Sequence, residues 1–260
     1  MLVTVAKTAP DAIQEKLEAL SDGTFHFACH PGVPCFTECC RDLRLLLTPY
    51  DILRLKTHLH LEAGAFLAEY TENRFDDQHH LPMIYLKMLE DERRRCPFVA
   101  PEGCRVYEDR PAACRIYPIA QATRRHRVHQ TVIEQYFVLR ENHCRGFEQE
   151  RRWVIGEWIR DQGLEPYQEW NELWMELITH PQLRSGRSLS TRQHQMFFLA
   201  GYNLDKFREF VFGSRFLTAF EISDETAQAL ATSDETLLKL AFKWLQFALC
   251  NEPTLQLRQP

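Results

Sequence analysis

With 260 residues, 45% of them hydrophobic and 26% charged, the chain has the makeup of an ordinary water-soluble protein, long enough to bury a core without covalent staples. A net charge of −5 excludes a global pull toward nucleic acid or an anionic membrane. No apolar run approaches the ~18 residues of a membrane span and no N-terminal stretch resembles a secretory signal, so a cytoplasmic protein is expected, with neither nucleic acid nor membrane as a partner.

In chain order, residues 10–20 read as a short amphipathic helix, with Asp11 as N-cap and Gly23 just beyond its end. The loop 28–34 is rich in proline and glycine, a backbone that folds tightly and points amides at thiolate ligands. Thr48-Pro49-Tyr50-Asp51 is a helix start, with Thr48 as N-cap, Pro49 at the first helical position and Asp51 closing a capping box. It predicts a helix over 49–58, and a second is expected over 62–70. Strands are expected over 83–89 and 128–139, with His129, Thr131, Ile133, Gln135 and Phe137 on one face of the latter. Between them, Pro97, Pro101, Gly103, Pro111 and Pro118 break any long helix and predict a compact loop-and-turn segment. The basic knot Arg124, Arg125, His126 and Arg127 reads as a solvated turn.

After Cys144 the pattern becomes helical. Trp153, Ile155, Trp158 and Ile159 suggest one helix, and Tyr167, Trp170, Leu173, Trp174 and Leu177 a second, with others over 191–200, 204–212 and 235–249. The aromatic stripes are read as core. Ser-Asp-Glu-Thr occurs at both 223 and 233 and marks two helix N-caps. The expected fold is α+β: a loop-rich, cysteine-ligated metal-binding core with a few short strands over 1–150, and a mainly helical region over 151–260 packed on it.

Eight of the nine cysteines, Cys29, Cys35, Cys39, Cys40, Cys96, Cys104, Cys114 and Cys144, precede residue 145, and Cys250 stands apart as a buried small hydrophobe. In a reducing compartment such clustering argues for metal or redox chemistry over disulfides. Thiolates are soft donors, and a tetrahedral zinc or a cubane iron–sulfur cluster each takes four. Eight cysteines fill two sites, or one with four left over. Cys29, Cys35 and Cys39 or Cys40 form one set and Cys96, Cys104 and Cys114 another, with Cys144 able to complete either. In an extended backbone Cys39 and Cys40 would point to opposite faces, so each serves a different site or one is a free thiol.

Arg110 and Arg115 flank Cys114, where they either hydrogen-bond to the cluster region and offset thiolate charge or form salt bridges with Glu108, Asp109 or nearby acids. Tyr107 and Tyr117 read as packing residues with a polar handle. His30 and His143 sit beside cysteines as substitute ligands, though eight thiols suffice without them. His58, His60, His79 and His80 read as surface residues.

The strings CHPGVPCFTECC (29–40), CPFVAPEGCRVYEDRPAACRIYP (96–118) and HCRGF (143–147) closely resemble the YkgJ-type cysteine-cluster family of zinc- or iron-chelating proteins, over roughly residues 25–147. The family's usual first block is tighter, with three and two residues in gaps that hold five and three here. The resemblance implies metal or cluster binding without implying one reaction. A more distant likeness, to the longer flagellin lysine methylases, implies cluster-dependent methyl transfer to a protein lysine. No glycine-rich nucleotide fingerprint and no radical-enzyme cysteine spacing supports S-adenosylmethionine binding independently.

Three functions follow as expectations. The first is an iron–sulfur protein, of the four-iron type, with a redox or group-transfer role. The second is a zinc-binding structural module that engages a protein partner; four-cysteine zinc sites favour close cysteine pairs, which only Cys35 and Cys39 approach, so iron leads. The third is a methylase-like enzyme with a protein substrate. An enzyme would accordingly be an oxidoreductase or a methyltransferase. Hydrolase motifs do not occur.

Overall fold

The structure, a computed structural model, describes residues 17–75, 81–125, 132–184 and 189–259. The first half is built of short strands: β1 (Leu17–Ala19), β2 (Thr24–His26) and β3 (Leu46–Leu47) precede helices α1 (Pro49–His58) and α2 (Ala63–Tyr70), which lead into β4 (Thr71–Phe75) and β5 (Pro82–Leu86). A small hairpin of β6 (Val99–Ala100) and β7 (Gly103–Cys104) follows, then the short helix α3 (Ala112–Ile116), the long strands β8 (Ile119–Arg125) and β9 (Val132–Leu139), and β10 (Arg152–Val154). The remainder is helical: α4 (Ile155–Asp161), α5 (Glu165–Ile178), α6 (Pro181–Arg184), α7 (Thr191–Tyr202), α8 (Leu204–Gly213), α9 (Phe216–Ala219), α10 (Asp224–Thr232) and α11 (Asp234–Cys250). The fold is the expected α+β mixture. Among the described residues no helix is long and apolar enough to cross a membrane.

The chain forms two compact units, Met1–Leu46 with Leu86–Gln168, and Leu47–Tyr85 with Glu169–Pro260. The first holds the antiparallel sheet β1-β9-β8 and the pair β10-β2. Its core gathers Phe25, Phe27, Ile116, Ile119, Val138, Trp153, Trp158 and Leu164. Both indoles in it donate to backbone carbonyls, Trp153 to Phe27 (2.9 Å) and Trp158 to Ile116 (3.1 Å). A buried tryptophan needs such a partner for its N–H. These two bonds anchor the segments that run into Cys29 and Tyr117.

The second unit contains the sheet β3-β5-β4 and most of the helices. Trp174 packs against Phe197, Phe242 and Tyr202 at centroid separations of 5.2, 5.5 and 5.5 Å, and Phe207 stacks on Trp244 at 5.4 Å. The aromatic stripes are therefore core, as their spacing required. Lys56, nearly buried, bridges Asp205 (3.2 Å) and Asp234 (2.9 Å), and Arg208 also bonds Asp234 (2.5 Å), tying α1, α8 and α11 together. Cys250 is buried at the end of α11.

Four sequence expectations need correction, one being that Arg124 and Arg125, read as part of a solvated turn, are the last residues of β8 and pair with Ile133 and Val132. Leu17–Ala19, read as the end of a helix, is a strand because its backbone pairs with Phe137–Leu139; residues 10–16 lie outside the described residues. Trp153, read as helical, belongs to β10 and pairs with Phe25, so the helix begins at Ile155. The strand expected over 83–89 runs only from Pro82 to Leu86. The segment 96–118 is loop-rich as expected but also holds the β6–β7 hairpin and α3, with Pro111 at the N-cap of α3 and Pro118 beyond its end. His79, His80, His126, Arg127, His129 and Thr131 lie outside the described residues.

Candidate metal centre

Phe27 and Ala28 continue past β2 by bonding to the chain that follows Cys144: the Phe27 amide donates to the Arg151 carbonyl (2.9 Å) and the Ala28 amide to that of Gly146 (3.1 Å). This pairing lays the first cysteine loop against residues 143–146. The loop then proceeds by consecutive tight turns, the amides of Val33, Phe36, Glu38 and Cys40 each donating to the carbonyl three residues earlier, at 2.9 Å. The turn at 37–40 overturns the extended-backbone argument for the adjacent cysteines. Thr37 adopts a φ of 67°, and the sulfurs of Cys39 and Cys40 lie 3.9 Å apart. They converge because successive side chains diverge in a strand and not in a tight turn.

Cys29, Cys35, Cys39 and Cys144 line one pocket with Phe27, Tyr117, His143 and the backbone at Ala28 and Gly146. By surface area Cys29 is an exposed residue, yet its side chain lines this pocket, and burial there, reinforced by the charges of Cys39, Cys35 and Cys144, pushes its thiol up to about 12. The Arg145 amide donates to the Cys35 sulfur at 3.0 Å. The Cys144 thiol is raised by burial, against which the Tyr117 hydroxyl and the Gly146 amide favour its ionised form. Gly146 is required where it stands: a Cβ there would lie 2.4 Å from a Phe27 ring carbon and 2.8 Å from the Ala28 carbonyl oxygen.

The second set centres on the β6–β7 hairpin. The Cys96 amide donates to the Cys40 carbonyl (2.9 Å), which joins this hairpin to the turn carrying the adjacent pair. Burial pushes the Cys96 thiol up to about 11, opposed by the amides of Phe98 and Val99. Cys104 is raised by burial and opposed by the Val106 amide, Arg110 and Arg105. Cys114 sits on α3. The charge of Cys39 acts on Cys29, Cys96, Cys104 and Cys144, which puts Cys39 between the two sets.

Arg110 and Arg115 are both buried. Arg110 stacks on Tyr107 at 3.8 Å and bonds the Tyr107 carbonyl and the Gln162 side chain. Burial lowers its pKa, with Tyr107, Cys114 and Cys104 acting in the opposite sense, so its charge faces the second thiol set. Arg115 bonds the backbone carbonyls of Arg110, Gln162 and Glu108 and lies over the Tyr167 ring at 4.5 Å. It braces the turn before α3.

Among the described residues, no three Cys, His, Asp or Glu side chains are gathered closely enough to hold a metal ion as placed. The donor set nevertheless fits one by its chemistry. Backbone N–H groups serve the sulfurs of Cys35, Cys96, Cys104 and Cys144, the kind of donors that orient and support metal-bound sulfur. The Tyr117 hydroxyl is buried in the same pocket without a partner of good hydrogen-bond geometry; it acts on Cys144 through proximity. Sequence reasoning took Tyr117 for a packing residue with a polar handle and passed over Gly146, whose signal lay in the HCRGF string.

Residues 28–151 match the family model CxxCxxCC, described as a putative zinc- or iron-chelating domain. Over this segment the chain is similar to that cysteine-cluster family. The chelating domain thus covers all eight clustered cysteines and every residue lining the pocket except Phe27, and metal binding through its cysteines is the activity the family supports. No curated protein and no solved structure matches the chain, and the likeness to flagellin lysine methylases is not shown.

Proposed function

We propose that the chelating domain holds an iron–sulfur cluster, of the four-iron type, on Cys29, Cys35, Cys39 and Cys144, and that Cys40, Cys96, Cys104 and Cys114 form a second thiol set beside it. The observation that carries this reading is the convergence of four thiols, from two distant stretches of chain, on one pocket walled by Phe27 and Tyr117, with amides at Arg145 and Gly146 serving two of the sulfurs. One zinc would draw its four sulfurs to about 3.8 Å from one another, given a Zn–S bond of ~2.3 Å. A cubane interposes inorganic sulfide and accepts thiols spread around a pocket, which suits a set not gathered around a single point. Bound there, a cluster supplies one-electron transfer or a site for group transfer. Phe27 and Tyr117 limit water access, and Arg110 offsets negative charge at Cys104 and Cys114.

Zinc is the second reading, favoured by one specific observation. Cys39 and Cys40 hold their sulfurs 3.9 Å apart, the separation of two thiolates on one tetrahedral ion. Purification without oxygen, with metal and acid-labile sulfide analysis, separates the two. The iron reading expects brown protein whose broad visible absorption bleaches on reduction and is lost in Cys29→Ser, Cys35→Ser and Cys144→Ser but kept in Cys250→Ser. Colourless protein holding stoichiometric zinc would sink it.

A further inference from the structure

The fold alone gives no reason for the hydroxyl of Tyr117. Its ring meets Phe27 edge-on at 6.2 Å and packs, as Cys144 does, against the core of the first unit. Phenylalanine would satisfy every one of those contacts. The hydroxyl oxygen is instead buried with no partner of good hydrogen-bond geometry, an arrangement that costs stability in a metal-free protein. The pocket it shares holds Cys29, Cys35, Cys39 and Cys144. A neutral thiol is a weak acceptor, whereas a thiolate bound to metal accepts hydrogen bonds well.

We propose that Tyr117 is a positioning residue: its hydroxyl donates to the Cys144 sulfur once that sulfur is a metal-bound thiolate, and so helps set the affinity and electronic character of the centre. The inference rests on the reading of this pocket as a metal site. The Gly146 amide already serves the same sulfur. Tyr117 would complete a two-donor cradle around it.

The test titrates cobalt(II) alone into the reduced wild-type chain and into Tyr117→Phe, against a chelating competitor, alongside melting of both metal-free proteins. Metal-free Tyr117→Phe should melt no lower than wild type, because the change removes an unpaired buried hydroxyl. Its cobalt affinity should fall about tenfold or more, and its sulfur-to-cobalt charge-transfer band should move to lower energy, since a sulfur that loses a hydrogen bond is the better electron donor. Equal affinity and an unmoved band in the two proteins would overturn the role of Tyr117 and leave the metal site standing. Failure of metal-free Tyr117→Phe to fold would overturn it as well, by showing that the hydroxyl serves the fold without metal. No cobalt uptake by wild type would overturn the metal site itself.

Discussion

A Cβ at Gly146 would meet a Phe27 ring carbon at 2.4 Å and the Ala28 carbonyl oxygen at 2.8 Å, and the backbone oxygen has no flexible end to swing aside. Gly146→Ala must therefore push apart the two strands of chain that bring Cys29 and Cys144 together. A loss of about 1–3 kcal/mol is expected, the usual scale of overpacking, with weaker metal uptake; urea unfolding of the metal-free protein and cobalt titration check both. The buried thiol of Cys96 carries a pH signature of its own. Its pKa rises from 9.0 to about 11 on folding, so between those values the unfolded chain has lost a proton that the native chain keeps, and metal-free stability falls as pH rises. Below pH 9 this contribution is flat. Unfolding free energies measured from pH 8 to about 11 should show the decline, and Cys96→Ser should make it shallower, the raised thiols of Cys29, Cys104 and Cys144 supplying the rest. The cysteines were legible in the sequence as ligand-type residues, but the convergence of Cys39 and Cys40 was not, because it depends on the backbone turn at Thr37.

The α1 start was legible from four residues. Thr48 accepts from the Asp51 amide (3.3 Å), while Asp51 accepts from both the Thr48 amide (2.8 Å) and its hydroxyl (2.9 Å). Both residues are buried, so water cannot substitute. Thr48→Ala should cost about 1–2 kcal/mol, at the upper end for an N-cap, measured by chemical denaturation. Ser223 and Ser233 cap α10 and α11 in the same local manner, each accepting from the amide three residues on at 3.1 Å. Elements that depend on distant partners escaped such reading. Leu17–Ala19 is a strand only because Phe137–Leu139 lie beside it, and Trp153 leaves the helical pattern only because Phe25 pairs with it.

The first and second units carry separate aromatic cores, and every clustered cysteine belongs to the first unit. A metal bound to those thiols stabilises the unit that holds it, by mass action on the folded form. Stripping it with a chelator should therefore lower hydrogen-exchange protection in β2, β10 and the β6–β7 hairpin while leaving α11 protected; uniform loss throughout the chain would contradict that division. The sequence by itself determined the helices with their caps, the apolar stripes and the metal-binding character of residues 28–151, because each is written in neighbours a few positions apart. Only the tertiary structure decided which thiols share a pocket, why position 146 admits no side chain, and that the Tyr117 hydroxyl is buried in the pocket that Cys144 lines. Those facts arise from the pairing of residues 27–28 with 146–151 and of Cys96 with Cys40, contacts between segments too far apart in the chain for any local pattern to encode.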